Sequence, residues 1–383
     1  MSGPKHEVAD VIKQFGTHFL WKHNPNAYQL RVLGALSLCR TSALGGHTYR
    51  CDNCHRRHIS YNSCRNRHCP KCQVSRQQFW VDDRISHAYD TKHYHMVFTT
   101  PKILNSVCML NSRWFYNELF AAVWETLRQF GYTHFGSESG AICVLHTWGQ
   151  NLSLHPHIHC IVPALGYTLQ GRLKQIGKNG KYLFPVKQLS LVFKAKLMLR
   201  IQKYLLKQKL FSGYKKETGE AWKKPWVVFC EPSLGKPEHV IAYLGQYIHR
   251  VAITNHRIVD INNQEITFKL KDYRDHGNVK TIILTGVEFL RRFCLHILPK
   301  GFVKIRHYGI YSTRFRSTVL KSLGQMVVAI PETTTERIKR LSGIDVHQCK
   351  YCKTGKLILS EIIPRSRSPA FMAKVFRIAL LQQ

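Results

Sequence analysis

The chain has 383 residues, of which 44% are hydrophobic, and 57 basic against 22 acidic residues give it a formal net charge of +35. This length and hydrophobic content exclude a disordered chain and predict two or three domains. So large a positive charge would destabilise a protein that has no polyanionic partner, so we expect nucleic acid as the partner, with a membrane surface as the alternative. The sequence has no apolar run of about 18 residues and no signal-peptide core, which predicts a cytoplasmic, nucleoid-associated protein without a membrane span.

The predicted helices and strands follow one another without a strict alternation. We expect helices at 7–21, 27–40, 75–89, 112–131, 187–210 and 237–252, strands at 93–101, 140–148 and 157–162, and a hairpin at 256–270. The helix at 112–131 is expected to stop at Gly131. This mixture favours an α+β fold, with a mainly antiparallel sheet flanked by helices, over a doubly wound fold.

Residues 45–75 are rich in cysteine and histidine and contain few apolar side chains. They include two Cys-x2-Cys pairs, Cys51 with Cys54 and Cys69 with Cys72. Each such turn directs two thiolates toward one point, and two turns complete a tetrahedron around a zinc ion at about 2.3 Å. A segment with so few apolar residues needs the free energy of metal binding to fold. The pattern predicts one structural Zn²⁺ ion held by these four cysteines, and buried thiols are the alternative.

Neighbouring side chains leave the ligand set of this zinc site open. Cys64 and His68 are alternative ligands, because either can take the place of one of the four cysteines. Arg65 and Arg67 lie in the same stretch and surround the site with positive charge. This charge suits contacts with the phosphates of a nucleic acid.

A third Cys-x2-Cys pair, Cys349 with Cys352, lies near the C-terminus and has no matching pair after it. It is interpreted either as half of a second zinc site, with His347 as a helper, or as free thiols. The chain has 13 cysteines. In a cytosolic protein such a number is more typical of metal ligands and buried thiols than of disulfides.

Three histidines recur at every second position in the stretch LSLHPHIHCIV, residues 152–162. Side chains on a strand alternate between its faces, so His157 and His159 point the same way and form a two-imidazole metal site. Pro156 breaks the strand period, which removes His155 from the pair and leaves it beside the site or the phosphate. The alternative is two surface histidines on an edge strand.

A helix about 85 residues further along supplies a second chemical element. In HVIAYLGQYIHRV, Tyr243, Tyr247 and Arg250 share one face with His239, away from the apolar stripe that docks the helix. Arg250 on this face can hold a phosphate with two hydrogen bonds. The alternative is a pair of tyrosines that stack on bases at the rim of a groove.

The histidine pair and the tyrosine pair together indicate phosphoryl-transfer chemistry on DNA. A tyrosine hydroxyl, with a free pKa of about 10, is a weak nucleophile. A divalent ion held by two histidines would polarise the phosphate and stabilise the developing charge. Tyrosine could then displace a 3′ hydroxyl and keep the bond energy of the DNA as a phosphotyrosine.

The same residues carry a resemblance to a known family. His157-Ile158-His159 resembles the His-hydrophobe-His motif of the HUH nucleases, and Tyr243-LGQ-Tyr247 resembles the tyrosine pair of rolling-circle transposases of the insertion-sequence-91 type. Further blocks resemble that family in its own order between about residues 15 and 355, namely YNSCRNRHCPKCQ, HTWGQNLSLHPHIHCIVP, YLGQYIHRVAITNHRI and LPKGFVKIRHYGIYSTR.

The resemblance implies nicking and joining of single-stranded DNA at element ends and target through a 5′-phosphotyrosine, with Mg²⁺ or Mn²⁺ as catalytic ion. It also implies an antiparallel sheet with the histidines on a central strand and the tyrosine helix beside them. Single-tyrosine relatives keep the residue that resembles Tyr247, so Tyr247 is ranked before Tyr243. HUH sites commonly add a third ligand, for which Gln150 is the candidate.

The predicted organisation has four consecutive segments. They are a helical segment (1–45), a zinc-binding module (46–80), a catalytic domain with the tyrosine helix (81–300) and a basic C-terminal region with the late cysteine pair (301–383). Two other functions remain open at this point. One is a replication initiator or relaxase with the same chemistry, and the other is a non-catalytic zinc-containing DNA-binding protein. The oligomeric state is not predicted.

Overall fold

A computed structural model describes residues 4–85, 89–177, 183–231, 245, 251–272, 275–324 and 331–366, without the side chains of residues 74, 75 and 231. The helices are α1 Val8–Lys22, α2 Ala27–Ser37, α3 Pro70–Ile85, α4 Asn105–Leu110, α5 Ser112–Phe135, α6 Val186–Lys207, α7 Lys215–Lys223, α8 Gly286–Leu295, α9 Thr313–Ser322 and α10 Thr334–Ser342. None of these described helices is long and apolar enough to cross a lipid bilayer.

The strands of the described residues follow the same chain-order numbering. They are β1 Gly46–Cys51, β2 Arg57–Tyr61, β3 His93–Thr99, β4 Ser137–Trp148, β5 Leu154–Pro163, β6 Leu165–Thr168, β7 Leu173–Gln175, β8 Val227–Glu231, β9 Ile258–Ile261, β10 Glu265–Asp272, β11 Asn278–Thr285, β12 Ile305–Gly309 and β13 Leu357–Ile363. The pairings between these described strands are all antiparallel. The predicted α+β class with an antiparallel sheet is confirmed.

The chain divides into two compact units, each built from separate stretches of sequence. The first unit comprises residues 1–78, 249–297 and 328–383, and the second comprises residues 79–248 and 298–327. The chain leaves each unit and later returns to it, and the four consecutive segments expected from the sequence stay a prediction. Such returns depend on contacts between distant residues, which composition does not reveal.

The first unit packs α1 against α8. On α1, Val11, Phe15 and Phe19 recur every four residues, so they form one apolar stripe, and all three are buried. Gly286 begins α8 against this stripe, and a Cβ added there would lie 2.1 Å from the Phe15 ring. The close approach of the two helices therefore requires glycine at this position.

Two three-stranded sheets complete the first unit, with strand orders β13-β1-β2 and β11-β10-β9. The pairing of β13 with β1 joins the two ends of the described chain, and it places Ile363 opposite Gly46 and Leu357 opposite Cys51. The hairpin expected at 256–270 is present as β9 and β10.

The second unit is built on a seven-stranded sheet of order β7-β6-β4-β5-β3-β8, with β12 also pairing with β4. One face carries Phe98 and Ile158, both fully buried, and it is covered by α6, whose Phe193 ring lies 5.2 Å from that of Phe98. The opposite face carries Ile142 and Val144, which pack with Trp80 of α3 and Val319 of α9. Because the sheet is covered on both sides, polar groups on either face are drawn out of water.

Helix α5 continues past its expected stop at Gly131 and ends at Gly136, whose φ of 61° is left-handed. Gly136 therefore supplies the turn that glycine commonly makes at a helix C-terminus. Gly131 has another reason to be glycine, since a Cβ there would lie 2.6 Å from the carbonyl oxygen of Ser137 at the start of β4. The first glycine allows close packing and the second ends the helix.

Candidate metal centres and catalytic site

The register of β4 against β5 brings a third imidazole to the histidine strand. His146 on β4 lies directly opposite His157 on β5, and Val144 lies opposite His159. Directly paired residues of antiparallel strands point to the same face, as do residues two apart on one strand. His146, His157 and His159 therefore share one face of the sheet, and β5 lies between β4 and β3 rather than at an edge.

The three imidazoles are close enough to bind a single ion. The ring centroid of His146 lies 5.4 Å from that of His157 and 4.5 Å from that of His159. The ring centroids of His157 and His159 are 5.0 Å apart. One nitrogen from each ring lies within 4.8 Å of the other two. Nitrogen ligands at this spacing fit a divalent transition-metal ion.

Hydrogen bonds on the outer side of this cluster fix the orientation of two rings. Nδ1 of His157 donates to the carbonyl oxygen of His155 at 2.6 Å, which leaves Nε2 with its lone pair for a metal. Nδ1 of His159 is 2.9 Å from Nε2 of His95, and the two rings stack with centroids 5.2 Å apart. Such contacts set the tautomer of a ligating histidine and raise its basicity.

Burial favours the neutral form of two imidazoles on this strand. It lowers the pKa of His157 to about 4, and it also lowers the pKa of His155. A neutral imidazole is the form that coordinates a metal ion. His157 is therefore in its ligating protonation state at physiological pH.

Gln150 and His146 are both candidates for the third metal ligand, and the structure supports them to different extents. Gln150 lies in the turn between β4 and β5, and its role as a ligand stays a prediction. His146 was missed by sequence reasoning, although it lies in the predicted strand at 140–148. Only the pairing register, which the sequence does not state, places it opposite His157.

The catalytic candidates Tyr243, Tyr247 and Arg250 lie outside the described residues. Gly245, between the two tyrosines in sequence, is described, and it is helical and buried. A Cβ added to Gly245 would lie 1.9 Å from Cγ2 of Val81 on α3, so this position packs closely against that helix.

Positive charge gathers on the same sheet face as the imidazoles. His307 on β12 lies opposite Ile142, and its Nε2 is 3.5 Å from a guanidinium nitrogen of Arg84. Burial, followed by the charges of Arg84 and Arg316, lowers the pKa of His307 to about 4. Two guanidinium groups beside a neutral imidazole form a positive surface that suits a phosphate.

The cysteines form two clusters rather than the single predicted one. Among the described residues, Cys39, Cys64, Cys69 and Cys72 lie together, and Cys51, Cys54, Cys349 and Cys352 lie together. Cys51 and Cys54 lie with Cys349 and Cys352 rather than with Cys69 and Cys72, so the predicted sharing of one ion by both early Cys-x2-Cys pairs is not the arrangement in the structure. His68 is part of neither cluster, whereas Cys64 is a member of the first.

The first cluster has tetrahedral spacing. The Sγ atom of Cys72 is 3.6 Å from those of Cys39 and Cys64, close to the edge of about 3.8 Å that follows from Zn–S bonds of about 2.3 Å. Contact with the Cys64 thiol, and then with Cys69, lowers the pKa of Cys39 to about 7. Cys39 lies within the helix predicted at 27–40, and no local spacing marks it as a ligand.

The basic residues expected beside the zinc site lie close to this first cluster. Arg65 directly follows Cys64, is exposed and has a φ of 54°. Arg67 is partly buried in the same turn. Their contact with phosphate stays a prediction.

Comparison with known proteins decides the family. A family model described as a putative transposase matches residues 140–318, and one described as a transposase zinc-binding domain matches residues 11–100. A putative transposase, y4qJ, of Sinorhizobium fredii is 39% identical over 391 residues, which cover 96% of this chain and 98% of the relative. The chain belongs to the insertion-sequence-91 family of transposases.

A second relative of the transposase is more distant. The transposase for insertion sequence element IS801 of Pseudomonas savastanoi pv. phaseolicola is 25% identical over 365 residues, which cover 89% of this chain and 86% of the relative. No solved structure matches the transposase. Membership of this family makes the protein an enzyme that acts on DNA, and the zinc-binding domain together with the cysteine clusters supports structural zinc.

Proposed function

We propose that the transposase cleaves and rejoins single-stranded DNA at the ends of its element through a 5′-phosphotyrosine intermediate, in transposition of the rolling-circle type. The observation that carries the proposal is the set of three imidazoles, His146, His157 and His159, within 4.8 Å of one another on a covered sheet face. In an enzyme that acts on DNA, such a set of imidazoles would hold a metal ion at the scissile phosphodiester.

The imidazole set fits a catalytic ion. His146, His157 and His159 would hold Mn²⁺ or Mg²⁺, and three nitrogen ligands favour Mn²⁺ because Mg²⁺ prefers oxygen. When bound, the ion supplies Lewis-acid polarisation of the scissile phosphate. His95 and the carbonyl of His155 would orient the rings of His159 and His157 for this purpose.

The nucleophile in the proposal is Tyr247, with Tyr243 as the second of the pair. The hydroxyl oxygen of Tyr247 forms a bond to phosphorus, the bond to the 3′ oxygen breaks, and that oxygen leaves with a proton as a 3′ hydroxyl. The strand end then remains as a 5′-phosphotyrosine. Attack by another 3′ hydroxyl on the same phosphorus releases the tyrosine and restores a phosphodiester.

The position of Gly245 supports this pairing of tyrosines with histidines. Gly245 packs on Val81, and the adjacent Trp80 packs against the core cluster that contains Val144, which lies opposite His159. Gly245, which lies between the two tyrosines in sequence, is therefore connected to the imidazole face through the packing of α3 on the sheet. Such a mechanism first requires that the tyrosine nucleophile lies within reach of the metal site that polarises the phosphate.

Cationic groups would guide the DNA strand. Arg84 and Arg316, on the histidine face, and Arg250, on the tyrosine segment, are proposed to contact phosphates near the cleavage point. Arg65 and Arg67 are proposed to contact DNA at the zinc-binding module. Contacts of this kind give affinity that falls with salt and carries little sequence information.

The proposal is tested by incubating the purified chain with labelled single-stranded oligonucleotides that carry the element ends, with Mn²⁺ or Mg²⁺. A covalent protein–DNA adduct that resists denaturation is expected. It should be lost in the double variant His157→Ala, His159→Ala and retained in His256→Ala, an exposed histidine outside the cluster. Absence of an adduct with the wild-type chain, in the presence of cleavable ends, would contradict the proposal.

A further inference from the structure

The second cysteine cluster joins two segments from opposite ends of the chain. Cys51 is the last residue of β1, with Cys54 in the turn after it, and Cys349 and Cys352 precede β13. The Sγ atoms of Cys51 and Cys352, 301 residues apart, are separated by 3.6 Å, and those of Cys54 and Cys349 by 3.7 Å. A disulfide requires about 2.05 Å, whereas the edge of a zinc–sulfur tetrahedron is about 3.8 Å. The spacing therefore fits four thiolates around one ion.

The two turns repeat one backbone geometry. The amide of His55 donates to the carbonyl of Cys51 at 3.2 Å, and the amide of Lys353 donates to that of Cys349 at 2.9 Å. His55 and Lys353 each follow the second cysteine of their pair, and both are left-handed, with φ of 58° and 60°. This conformation is unfavourable for a residue other than glycine. Its occurrence in both turns indicates that each is shaped to present two sulfur atoms to a common centre.

Backbone amides also prepare the thiols as thiolates. The amide of Cys54 donates to Sγ of Cys51 at 3.4 Å, and the amide of Gly355 donates to Sγ of Cys352 at 3.3 Å. Such N–H···S contacts favour the thiolate, which is the form that binds metal.

The turns fit each other beyond their sulfur atoms. A Cβ added at Gly355 would lie 2.4 Å from Sγ of Cys51 and 2.7 Å from a carboxylate oxygen of Asp52. That carboxylate accepts from the amide of Lys356 at 2.7 Å, and the amide of Asp52 donates to the carbonyl of Lys356 at 3.0 Å. The C-terminal turn is thus built for close contact with the N-terminal one.

We propose that Cys51, Cys54, Cys349 and Cys352 bind a second structural zinc ion, which fixes the C-terminal strand β13 to β1. The match to the transposase zinc-binding domain ends at residue 100 and does not include the C-terminal pair. The first ion belongs to Cys39, Cys64, Cys69 and Cys72. The two ions are independent of the proposed DNA cleavage, so failure of one proposal leaves the other standing.

The first test is the zinc content of the full-length chain, measured by native mass spectrometry. Two zinc ions per chain are expected in the wild type, one in Cys352→Ser and one in Cys64→Ser. Cys108→Ser, at a buried cysteine outside both clusters, should retain two. One ion in the wild type, or two ions in Cys352→Ser, would overturn the proposal.

The second test follows which cysteines become reactive when one ligand is lost. In Cys51→Ser, alkylation should reach Cys352 and leave Cys69 and Cys72 protected, and the retained first cluster shows that the unit has folded. Gly355→Ala, which removes no ligand, should give the same labelling pattern because its Cβ displaces the C-terminal turn. If Cys51→Ser instead exposes Cys69 and Cys72, the two early pairs share one ion and the proposal is wrong.

Discussion

His146 of β4 lies opposite His157 of β5, with their ring centroids 5.4 Å apart. This pairing turns a two-histidine motif into a three-nitrogen site. In the proposed mechanism a third protein ligand would add affinity for the divalent ion and fix its position.

The pairing predicts that His146→Ala weakens Mn²⁺ binding and DNA cleavage at least tenfold, since one of three nitrogen ligands is lost. Mn²⁺ affinity is measured by isothermal titration and cleavage with labelled oligonucleotides. The matched variant His256→Ala should leave both unchanged. If Gln150→Ala causes the larger loss, Gln150 and not His146 is the third ligand.

The contact between His95 and His159 predicts a positioning role for His95. His95→Phe keeps a ring for stacking but removes the hydrogen bond to Nδ1 of His159, so Mn²⁺ affinity should fall by about 10–100-fold. Saturating Mn²⁺ should restore most of the cleavage in this variant, whereas it should not do so in His159→Ala. Unchanged affinity in a folded His95→Phe protein would show that the contact plays no part in metal binding.

The contact between Gly245 and Val81 predicts a steric rescue. In Gly245→Ala the new Cβ meets Cγ2 of Val81, so the helical position moves away from α3 and cleavage should fall by roughly an order of magnitude. Val81→Ala removes that methyl group, and the double variant should recover most of the activity. Binding of single-stranded DNA, measured by fluorescence anisotropy, should stay unchanged in all three, and failure of the rescue would contradict the contact.

The positive surface of Arg84 and Arg316 predicts a salt-dependent contribution to DNA binding. Arg316→Gln should weaken binding to single-stranded DNA and reduce the slope of log affinity against log salt concentration by about 0.7, the value for one phosphate contact. Arg314→Gln changes an exposed arginine on the same helix, α9, and serves as the control. An equal effect of the two variants would mean that Arg316 acts only through net charge.

Local patterns in the sequence predicted the elements that carry the site. The alternation in HPHIH is a property of one strand, so it identified His157 and His159 as sharing a face. Pro156 was expected to break the strand period, but β5 begins at Leu154 and continues through Pro156. The CxxC turns are equally local. Each supplies two thiolates by its own geometry, and the family models and cysteine clusters agree with zinc binding.

What the sequence could not supply was the partner of each local element. A CxxC turn does not state which other sulfur atoms it meets, so Cys51 was assigned to Cys69 rather than to Cys352. Cys39 lies in the turn after α2 and His146 lies in an ordinary buried strand, and each becomes a candidate ligand only through contacts with residues far away in sequence. The register between paired strands and the return of the chain to an earlier unit both depend on packing between distant residues. No short stretch of sequence encodes such packing.

Mapping the covalent link between the protein and the DNA tests most directly whether a tyrosine within reach of the three-histidine site cleaves the strand. An oligonucleotide with a labelled phosphate at the element end is incubated with Mn²⁺ and the chain, the product is digested, and the labelled peptide is identified by mass spectrometry. We expect the labelled 5′ phosphate on Tyr247, and we expect it on Tyr243 when Tyr247 is replaced by Phe. A label on any other residue, or an adduct that persists in Tyr243→Phe, Tyr247→Phe, would contradict it.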